Sequence, residues 1–280
     1  MPKKEASEKE KKQENRVIAE PIDEKAKKIL EATSEDEYKE APPAEESRPA
    51  VRRRLSETER MQIEREENLA KWRPKTQLGK LVRAGQIKDI DEVFDKGYKI
   101  LEFQIVDTLL PNLRSELLLI GQAKGKFGGG KRRFWRQTQK KTAEGNDPHF
   151  ACMAVIGDEN GHVGIGLGKA RETLPAKSKA MREAKLSMIS VKRGCGSFDC
   201  SCSEKHSIPF KVEGKRGSAV LKMIPAPKGT GLVAEKECRK ILKLAGIKDI
   251  YTKKFGQSRT KINMAGACYN ALKNISEMKR

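Results

Sequence analysis

FACMAVIGDENGHVGIGL, residues 150–167, is the segment that constrains the fold of this chain most strongly. Residues 150–157 and residues 163–167 are two runs of apolar and small residues, and each has the length of a β-strand. Between them lies DENG, residues 158–161, whose composition is typical of a tight turn. The segment therefore predicts an antiparallel β-hairpin.

A helix is predicted directly after this hairpin, over residues 175–190. One of its faces carries Ala176, Ala180, Ala184 and Met188 at four-residue spacing. This spacing places small apolar side chains on one side of a helix, where they can pack on a sheet. Strands followed by a helix indicate an α+β fold for this part of the chain.

A second α+β unit is predicted towards the end of the chain. Its hairpin surrounds the tetrapeptide GKRG, and Gly246 is the kind of residue that commonly ends a helix. The predicted elements are strands at 208–212 and 218–224, a helix at 233–245, a strand at 247–255 and a helix at 262–275.

Upstream of the first hairpin, the chain divides into a charged extension and a helical layer. Residues 1–55 are rich in Lys, Glu, Ala and Pro and predict a disordered or partly helical extension. Leu78, Leu81 and Val82 share one helical face and predict a layer that packs on the first domain. The predicted division is 1–55 extension, 56–120 helical N-terminal layer, 121–194 first α+β domain, 195–206 Cys/His bridge and 207–280 second α+β domain.

The charge of the chain is distributed unevenly. Residues 1–50 carry 11 basic and 14 acidic side chains, whereas residues 51–280 carry 48 basic and 25 acidic ones. A positive surface of this kind suits a nucleic acid, because binding releases the counterions condensed on phosphates. No apolar run approaches the roughly 18 residues of a membrane-spanning helix, so no membrane partner is expected. Six cysteines without an export signal indicate a reducing compartment, and a cytoplasmic location is expected.

Residues 121–149 contain the strongest indication of a nucleic-acid contact. They are predicted to form a long basic hairpin loop in which Phe127, Phe134 and Trp135 are interleaved with cations. Cations contact phosphates, and aromatic rings stack on exposed bases. The alternative is a solvated, disordered loop. The cations are Lys124, Lys126, Lys131, Arg132, Arg133, Arg136, Lys140 and Lys141.

The same segment matches a nucleotide-binding loop only in part. Gly125, Gly130 and Lys131 have the required GxxxxGK spacing, but Arg132 follows where such a loop needs Ser or Thr for magnesium. No Ser, His and Asp grouping and no paired-carboxylate motif stands out elsewhere. The chain is therefore predicted not to be an enzyme, and an RNA-dependent NTPase is the disfavoured alternative.

Alternating glycines occupy the second strand of the first hairpin. Gly164, Gly166 and Gly168 lie on one face of that strand, and Lys169 and Arg171 follow them. The GxGxxG spacing of a dinucleotide site is missing. Either a phosphate backbone approaches this flat face beside the two cations, or a helix packs closely against it.

Three cysteines and a histidine lie within twelve residues and have the chemistry of a zinc site. Cys195, Cys200, Cys202 and His206 could close a tetrahedral structural Zn²⁺ site with three thiolates and an imidazole. The single-residue gap between Cys200 and Cys202 is tighter than usual, so free thiols in a loop are the alternative. The other three cysteines, in apolar stretches, are predicted to be core residues.

Several segments together resemble one family, the universal small-subunit ribosomal protein five, in its archaeal form. Their order and spacing agree over residues 72–275, whereas residues 1–55 and the loop at 121–136 depart from the usual archaeal pattern. The matching segments are WRPKTQLGKLV (72–82), GDENGHVGIGLGKAR (157–171), AKLSMISVKRGCG (184–196), HSIPF (206–210), IPAPKGTGLV (224–233) and LAGIKDIY (244–251).

The resemblance implies a first domain like the double-stranded-RNA-binding fold, with a three-stranded sheet and helices. It implies a βαβ second domain with a left-handed crossover. The expected function is that of a structural constituent of the small ribosomal subunit. Such a protein binds small-subunit ribosomal RNA between body and head, neighbours ribosomal proteins three, four and eight, helps to line the messenger RNA entry channel and supports decoding accuracy.

The resemblance and the basic loop together predict a set of RNA contacts. A free RNA-binding regulator outside the ribosome is the remaining alternative. The predicted contacts are Lys126, Lys131, Arg132, Arg133, Arg136, Gln137, Thr138, Lys140, Lys141, Gly164, Gly166, Gly168, Lys169, Arg171, Lys192 and Arg193.

Overall fold

The computed structural model of this protein describes Glu67, residues 69–123, Gly130 and residues 132–277. The predictions made for residues 1–55, for Lys124, Lys126 and Lys131, and for the nucleotide-loop match at Gly125 lie outside these residues. The described elements of the first part of the chain are α1 (Gln77–Arg83), α2 (Ile90–Asp95), α3 (Phe103–Leu109), β1 (Arg114–Leu117), β2 (Arg136–Thr142), β3 (Gly145–Gly157), β4 (His162–Ala170), α4 (Thr173–Leu186) and β5 (Met188–Ser190).

The first lobe is a sheet of five described strands rather than the three that the resemblance implies. Its order is β1-β3-β4-β5, and β2 also pairs with β3. Every pairing is antiparallel. β1 lies within the range predicted as a helical layer, and it extends the sheet at the edge beside β3. The predicted DENG turn joins β3 to β4, and Asp158 accepts hydrogen bonds there from the N–H groups of Asn160 and His162.

Helix α4 packs on one face of this sheet through small residues on both sides. Ala176, Ala180 and Ala184 are fully buried on the helix. Gly164, Gly166 and Gly168 face them from β4, and a Cβ atom at any of the three would fall closer than 3.0 Å to the helix backbone. The absence of side chains on β4 therefore sets how closely α4 approaches.

The second lobe is a four-stranded sheet with two helices. Its order is β6-β7-β9-β8, and β8 pairs with β9 in parallel, so β8, α5 and β9 form a βαβ unit as the resemblance implies. The elements are β6 (Val212–Arg216), β7 (Ala219–Pro225), β8 (Leu232–Val233), α5 (Lys236–Leu244), β9 (Ile250–Phe255) and α6 (Lys261–Glu277).

The two lobes share one hydrophobic core. Met153, Val155 and Ile165, on the face of the first sheet opposite α4, belong to the same buried cluster as Ile241 of α5 and Met264 of α6. Cross-strand partners share a sheet face, so this face is covered by the second lobe as α4 covers the other. The central part of the first sheet is thus buried between helices from both lobes.

Helices α1, α2 and α3 form the predicted helical layer beside the first lobe. Trp72, Val93 and Ile105 are buried there in one cluster with Ile156 of β3. Trp72 donates its indole N–H to Glu102 at 2.6 Å, which joins the segment before α1 to the start of α3. Aliphatic packing and this part-buried hydrogen bond hold the layer in place.

The prediction of a loop throughout residues 121–149 is wrong. Residues Arg136–Thr142 and Gly145–Gly157 are paired strands, and β2 is exposed along its whole length. A strand that is polar on both faces has no apolar alternation, which is the signal that sequence reasoning depends on. Backbone pairing with β3 maintains it instead.

Several predicted helix and strand boundaries are wrong as well. α4 ends at Leu186 rather than residue 190, because Ser187 leaves the helix and donates its hydroxyl to the carbonyl of Ile165, and β5 follows. The helix predicted from residue 233 begins at Lys236, since Leu232–Val233 pairs with β9. Both errors arise where a few residues form a tertiary strand pairing that local periodicity does not reveal.

Candidate nucleic-acid interface and metal cluster

The β2–β3 hairpin extends beyond the part of the first sheet that the helices cover. All seven residues of β2 are exposed, and Thr142 closes the turn by donating its hydroxyl to the carbonyl of Gly145. Residues 132–142 contain five cations and no acidic residue. The hairpin is therefore a polar, cationic arm with both faces available to a partner.

Two predicted contact residues lie in one row across three strands. Arg136 of β2 pairs with Ala151 of β3, and Ala151 pairs with Lys169 of β4. Neighbours in such a row point to the same side of the sheet, so Arg136 and Lys169 flank the small side chain of Ala151. Thr138 and Lys140 follow Arg136 on this side, because every second residue of a strand shares a face.

The two aromatic residues before β2 differ in exposure. Trp135 is half-buried against Cys152 and Ala176 and anchors the base of the hairpin. Phe134 is partly exposed, and the Lys240 ammonium lies 5.7 Å from its ring centre. The exposed surface at the base of the hairpin therefore combines its cations with the Phe134 ring.

The predicted RNA contacts at the glycines are placed inside the protein. Gly164, Gly166 and Gly168 are buried against α4, in agreement with the packing alternative. Lys169 and Arg171, at the end of the same strand, are exposed, and Arg171 lies 3.6 Å from the Asp147 carboxylate. The glycines thus position the two cations at the edge of the arm.

The remaining predicted contacts differ in their surroundings. Arg133 and Lys192 are exposed, whereas Arg132 is partly buried and donates to the carbonyl of Gly121. Arg193 donates to the carbonyls of Glu159, Asn160 and Gly246. It therefore holds the β3–β4 turn against the end of α5, a structural role that the sequence does not reveal.

The four predicted metal ligands are brought together. The ligand atoms of Cys195, Cys200, Cys202 and His206 all lie within 4.8 Å of one another. The sulfur atoms of Cys200 and Cys202 are 3.0 Å apart, and Nε2 of His206 is 3.8 Å from the Cys200 sulfur. In a tetrahedral zinc site, ligand atoms are separated by roughly 3.3–3.8 Å, so small adjustments would suffice to hold a metal ion.

The histidine of this cluster is buried and oriented by a distant carboxylate. Nδ1 of His206 lies 2.8 Å from the Asp249 carboxylate, which leaves Nε2 to face the cysteines. A second hydrogen bond of this type fixes ring orientation and tautomer in metal sites. Asp249 is separated from His206 by 43 residues, so sequence spacing gives no sign of this pairing.

The cysteines of the cluster and the cysteines of the core lie in different surroundings. The Cys202 thiol and the backbone N–H of Lys228 lower the pKa of Cys200 to about 6, and the interaction with Cys200 raises the pKa of Cys202 to about 11. One of these two sulfur atoms is thus readily ionised, as a metal ligand must be. Cys152, Cys238 and Cys268 are buried, as predicted, and burial raises the pKa of Cys152 to about 11.

Two buried polar groups were not recognised from the sequence. The ring of His162 lies between Asp158, at 2.6 Å, and Asp91, at 2.9 Å, and joins α2 to the β3–β4 turn. Glu237, at the start of α5, accepts the N–H of Leu119 at 2.8 Å and thereby connects the lobes.

In the described part of the chain, no helix is both long and apolar enough to cross a membrane.

Two family profiles match this chain and together define its class as a two-domain ribosomal protein. The N-terminal domain of ribosomal protein S5 matches residues 135–192, and the C-terminal domain of ribosomal protein S5 matches residues 214–280. These ranges cover the hairpin with α4 and most of the second lobe.

Archaeal relatives extend the similarity over most of the chain. The small ribosomal subunit protein uS5 of Nanoarchaeum equitans is 48% identical over 212 residues, which are 76% of this chain and 91% of the relative. The uS5 proteins of Pyrobaculum aerophilum and Methanobrevibacter smithii are 47% and 42% identical, over 74% and 76% of this chain and 88% and 92% of their own length. The chain belongs to the ribosomal protein S5 family, in its archaeal form, and is a structural, non-enzymatic constituent of the small ribosomal subunit.

Proposed function

We propose that this protein binds small-subunit ribosomal RNA through the β2–β3 hairpin and the adjoining end of β4. The observation that carries the proposal is the exposure of β2 on both faces, with Arg136 and Lys169 aligned across three strands. A strand such as β2, with no apolar face of its own, gains little from protein packing, so its persistence suits an arm that is enclosed by a polyanion.

The hairpin acts by neutralising phosphates from more than one side. Arg136 and Lys140 project from one face, and Lys141 projects from the other. An arm with cations on both faces can insert between two RNA segments, whereas a one-sided patch can only lie on a surface. Its role is therefore to fix the relative position of RNA segments, which is a structural function rather than a catalytic one.

The location within the subunit follows from the family resemblance. We propose that the arm contacts RNA between body and head, near messenger RNA at its entry channel, and supports decoding accuracy. Ribosomal proteins three, four and eight of the small subunit are its proposed neighbours, and the cytoplasm is its proposed location. The wide distribution of cations over both lobes suits a protein in contact with RNA on several sides.

A salt titration of RNA binding tests the role of the hairpin. The double variant Arg136→Ala/Lys140→Ala should bind small-subunit ribosomal RNA more weakly than wild type. The slope of log affinity against log salt should become shallower by about one for each phosphate that the variant no longer neutralises. Filter binding at several salt concentrations measures both quantities.

Lys96→Ala is the matched control, because Lys96 is an exposed cation whose ammonium lies 3.5 Å from Glu92 on α2. Its affinity and salt slope should equal those of wild type. A double variant with wild-type affinity and slope would refute the proposed contact. Failure of the wild-type protein to travel with small subunits at high salt would instead favour a free RNA-binding regulator.

We also propose that Cys195, Cys200, Cys202 and His206 hold a structural Zn²⁺ ion. Three sulfur atoms and one imidazole nitrogen within 4.8 Å of one another are a donor set that zinc prefers. The ion would cross-link a segment that contains no described helix or strand. Its role would be to stiffen the connection between the two lobes.

Metal analysis of the purified full-length protein tests this site. Wild type and Cys152→Ala, which removes a buried thiol elsewhere, should each carry about one zinc per chain, as four-ligand sites do. Cys200→Ala should carry almost none. A wild-type protein that takes up no stoichiometric zinc, or a Cys200→Ala variant that retains it, would contradict the proposal.

A further inference from the structure

Asp249 occupies a position between the Cys/His cluster and the loop that joins β7 to β8. Its carboxylate is buried, and one oxygen, Oδ2, lies 2.8 Å from Nδ1 of His206. The other oxygen, Oδ1, accepts the backbone N–H groups of Gly229 at 3.1 Å and Gly231 at 2.8 Å. A single carboxylate therefore binds the histidine of the proposed metal site and two amides of the loop at the same time.

The loop depends on this carboxylate for its conformation. Gly229 and Gly231 have φ angles of +93° and +74°, in the region that favours glycine. These angles turn both N–H groups toward one oxygen, as in the backbone concavities that bind anions. Without the carboxylate, these two amide donors would lose their acceptor within the protein.

The start of the loop is attached to the histidine segment as well. Ser207, next to His206, donates its hydroxyl to the carbonyl of Asp249 at 2.6 Å, and its oxygen accepts the N–H of Ala226 at 3.4 Å. The carbonyl of His206 accepts the N–H groups of Lys248 and Asp249 at 2.8 and 3.1 Å. Both ends of the loop are thus tied to residues that adjoin the same imidazole.

The middle of the loop contacts the cysteine segment directly. Lys228 forms an ion pair with Glu204 at 2.6 Å, and its backbone N–H faces the Cys200 sulfur. The ion pair is exposed and contributes little by itself. A metal ion would fix the position of the Cys200 sulfur, so the N–H of Lys228 would keep an acceptor in a constant place.

From this arrangement we propose that Asp249 couples metal binding at the Cys/His cluster to the order of the loop of residues 226–231. The inference rests on the proposed zinc site and adds a consequence to it. In the metal-bound protein the ring of His206 is fixed, so the Asp249 carboxylate is held where both glycine amides reach it. Without metal the ring and the cysteine segment are released, and the loop loses its common anchor.

An upper limit can be given for the coupling between Zn²⁺ binding and the order of the loop. Removing a carboxylate that orients a metal-bound histidine typically weakens metal affinity by about 10–100-fold. Because coupling free energies are reciprocal, the metal should strengthen the Asp249–His206 interaction by a factor of the same order, and the loop can gain at most that factor. Hydrogen exchange of the Gly229 and Gly231 amides should therefore be slower with Zn²⁺ than without it, by up to roughly 10–100-fold.

The experiment compares the full-length protein with one equivalent of Zn²⁺ and after removal of the metal by a chelator. Hydrogen exchange is followed for Gly229 and Gly231, and Zn²⁺ affinity is measured for wild type, Asp249→Asn and Asp199→Asn. Asp249→Asn should bind Zn²⁺ about 10–100-fold more weakly, because an amide can present an N–H to Nδ1 and disturb the tautomer. Asp199→Asn, which changes an exposed carboxylate in the cysteine segment, should match wild type.

The outcomes separate the two proposals. If the wild-type protein binds no stoichiometric Zn²⁺, the zinc site and the coupling both fail. If Zn²⁺ binds but the two glycine amides exchange equally fast with and without it, the site stands and the coupling is overturned. Wild-type Zn²⁺ affinity in folded Asp249→Asn would also overturn it. The wild-type exchange comparison decides the question even if that variant does not fold.

Discussion

Substitution of Gly166 by alanine should destabilise the protein, although alanine is normally the better residue in a strand. At most strand positions, Gly→Ala reduces the freedom of the unfolded chain and stabilises the fold by about 0.4–1 kcal/mol. At Gly166 the added Cβ would lie 2.8 Å from the carbonyl carbon of Glu183 and closer still to backbone atoms of Ala180 and Ala184. Steric overlap with a helix backbone opposes the entropic gain.

The size of the destabilisation follows from the distance that α4 would have to move. A carbon atom needs about 3.3 Å from a carbonyl oxygen, so the helix must shift by roughly 1 Å. Ala176, Ala180 and Ala184 are fully buried, and they would then pack less closely against the sheet. Overpacking of a well-packed core costs about 1–3 kcal/mol, and a rigid backbone neighbour places Gly166→Ala near 3 kcal/mol. For a protein of this size, the Tm should fall by roughly 6–12 °C.

Urea and thermal unfolding followed by circular dichroism would measure this destabilisation. Gly194→Ala is the matched control, since its added Cβ would lie 3.5 Å from the nearest atom, a side-chain carbon of Pro209. That variant should change the free energy of unfolding by less than about 1 kcal/mol. If Gly166→Ala were as stable as wild type, close approach of α4 could not be the reason for the glycines, and a direct contact with RNA would become the better explanation.

Two further predictions concern buried polar groups. Burial opposes protonation of His162, but hydrogen bonds to Asp158 and Asp91 outweigh it, and its pKa is raised. A raised folded pKa stabilises the fold fully below the unfolded value of about 6.5, and this contribution is lost as the pH rises through the folded value. The Tm difference between wild type and His162→Gln should therefore be larger at pH 5.5 than at pH 9; equal differences by calorimetry would contradict this. Glu237→Ala should lower the free energy of unfolding by about 1–3 kcal/mol in urea, because the N–H of Leu119 loses its acceptor. Glu237→Gln should be less destabilising, and equal effects of the two substitutions would exclude the hydrogen bond as the cause.

Local patterns predicted the elements whose side chains alternate or repeat. The hairpin of β3 and β4, the alanine face of α4 and the buried cysteines were all recognisable, because each has an apolar period or composition. The family was recognisable from the order of several short segments, and the comparisons confirm it. The four residues of the Cys/His cluster were recognisable because they lie close together in sequence.

Long-range features could not be predicted in this way. The RNA contact predicted at Arg193 stays a prediction, but the sequence did not reveal that Arg193 donates to backbone carbonyls from distant parts of the chain. Asp249 and Glu237 are single acidic residues whose partners lie 43 and 118 residues away. β2 was missed because its pairing is made by the backbone, and its side chains carry no alternation. In each case the decisive interaction depends on tertiary packing rather than on neighbours in sequence.

The shared core has a consequence for cleavage of the chain and for its folding during synthesis. Met153 and Val155 are covered by helices of the second lobe. After a chain break within residues 195–206, separation of the two fragments would expose complementary apolar surfaces on both. The two fragments would therefore remain associated through this shared core. In a nascent chain, the face of the first sheet opposite α4 would accordingly stay uncovered until α5 and α6 have been synthesised.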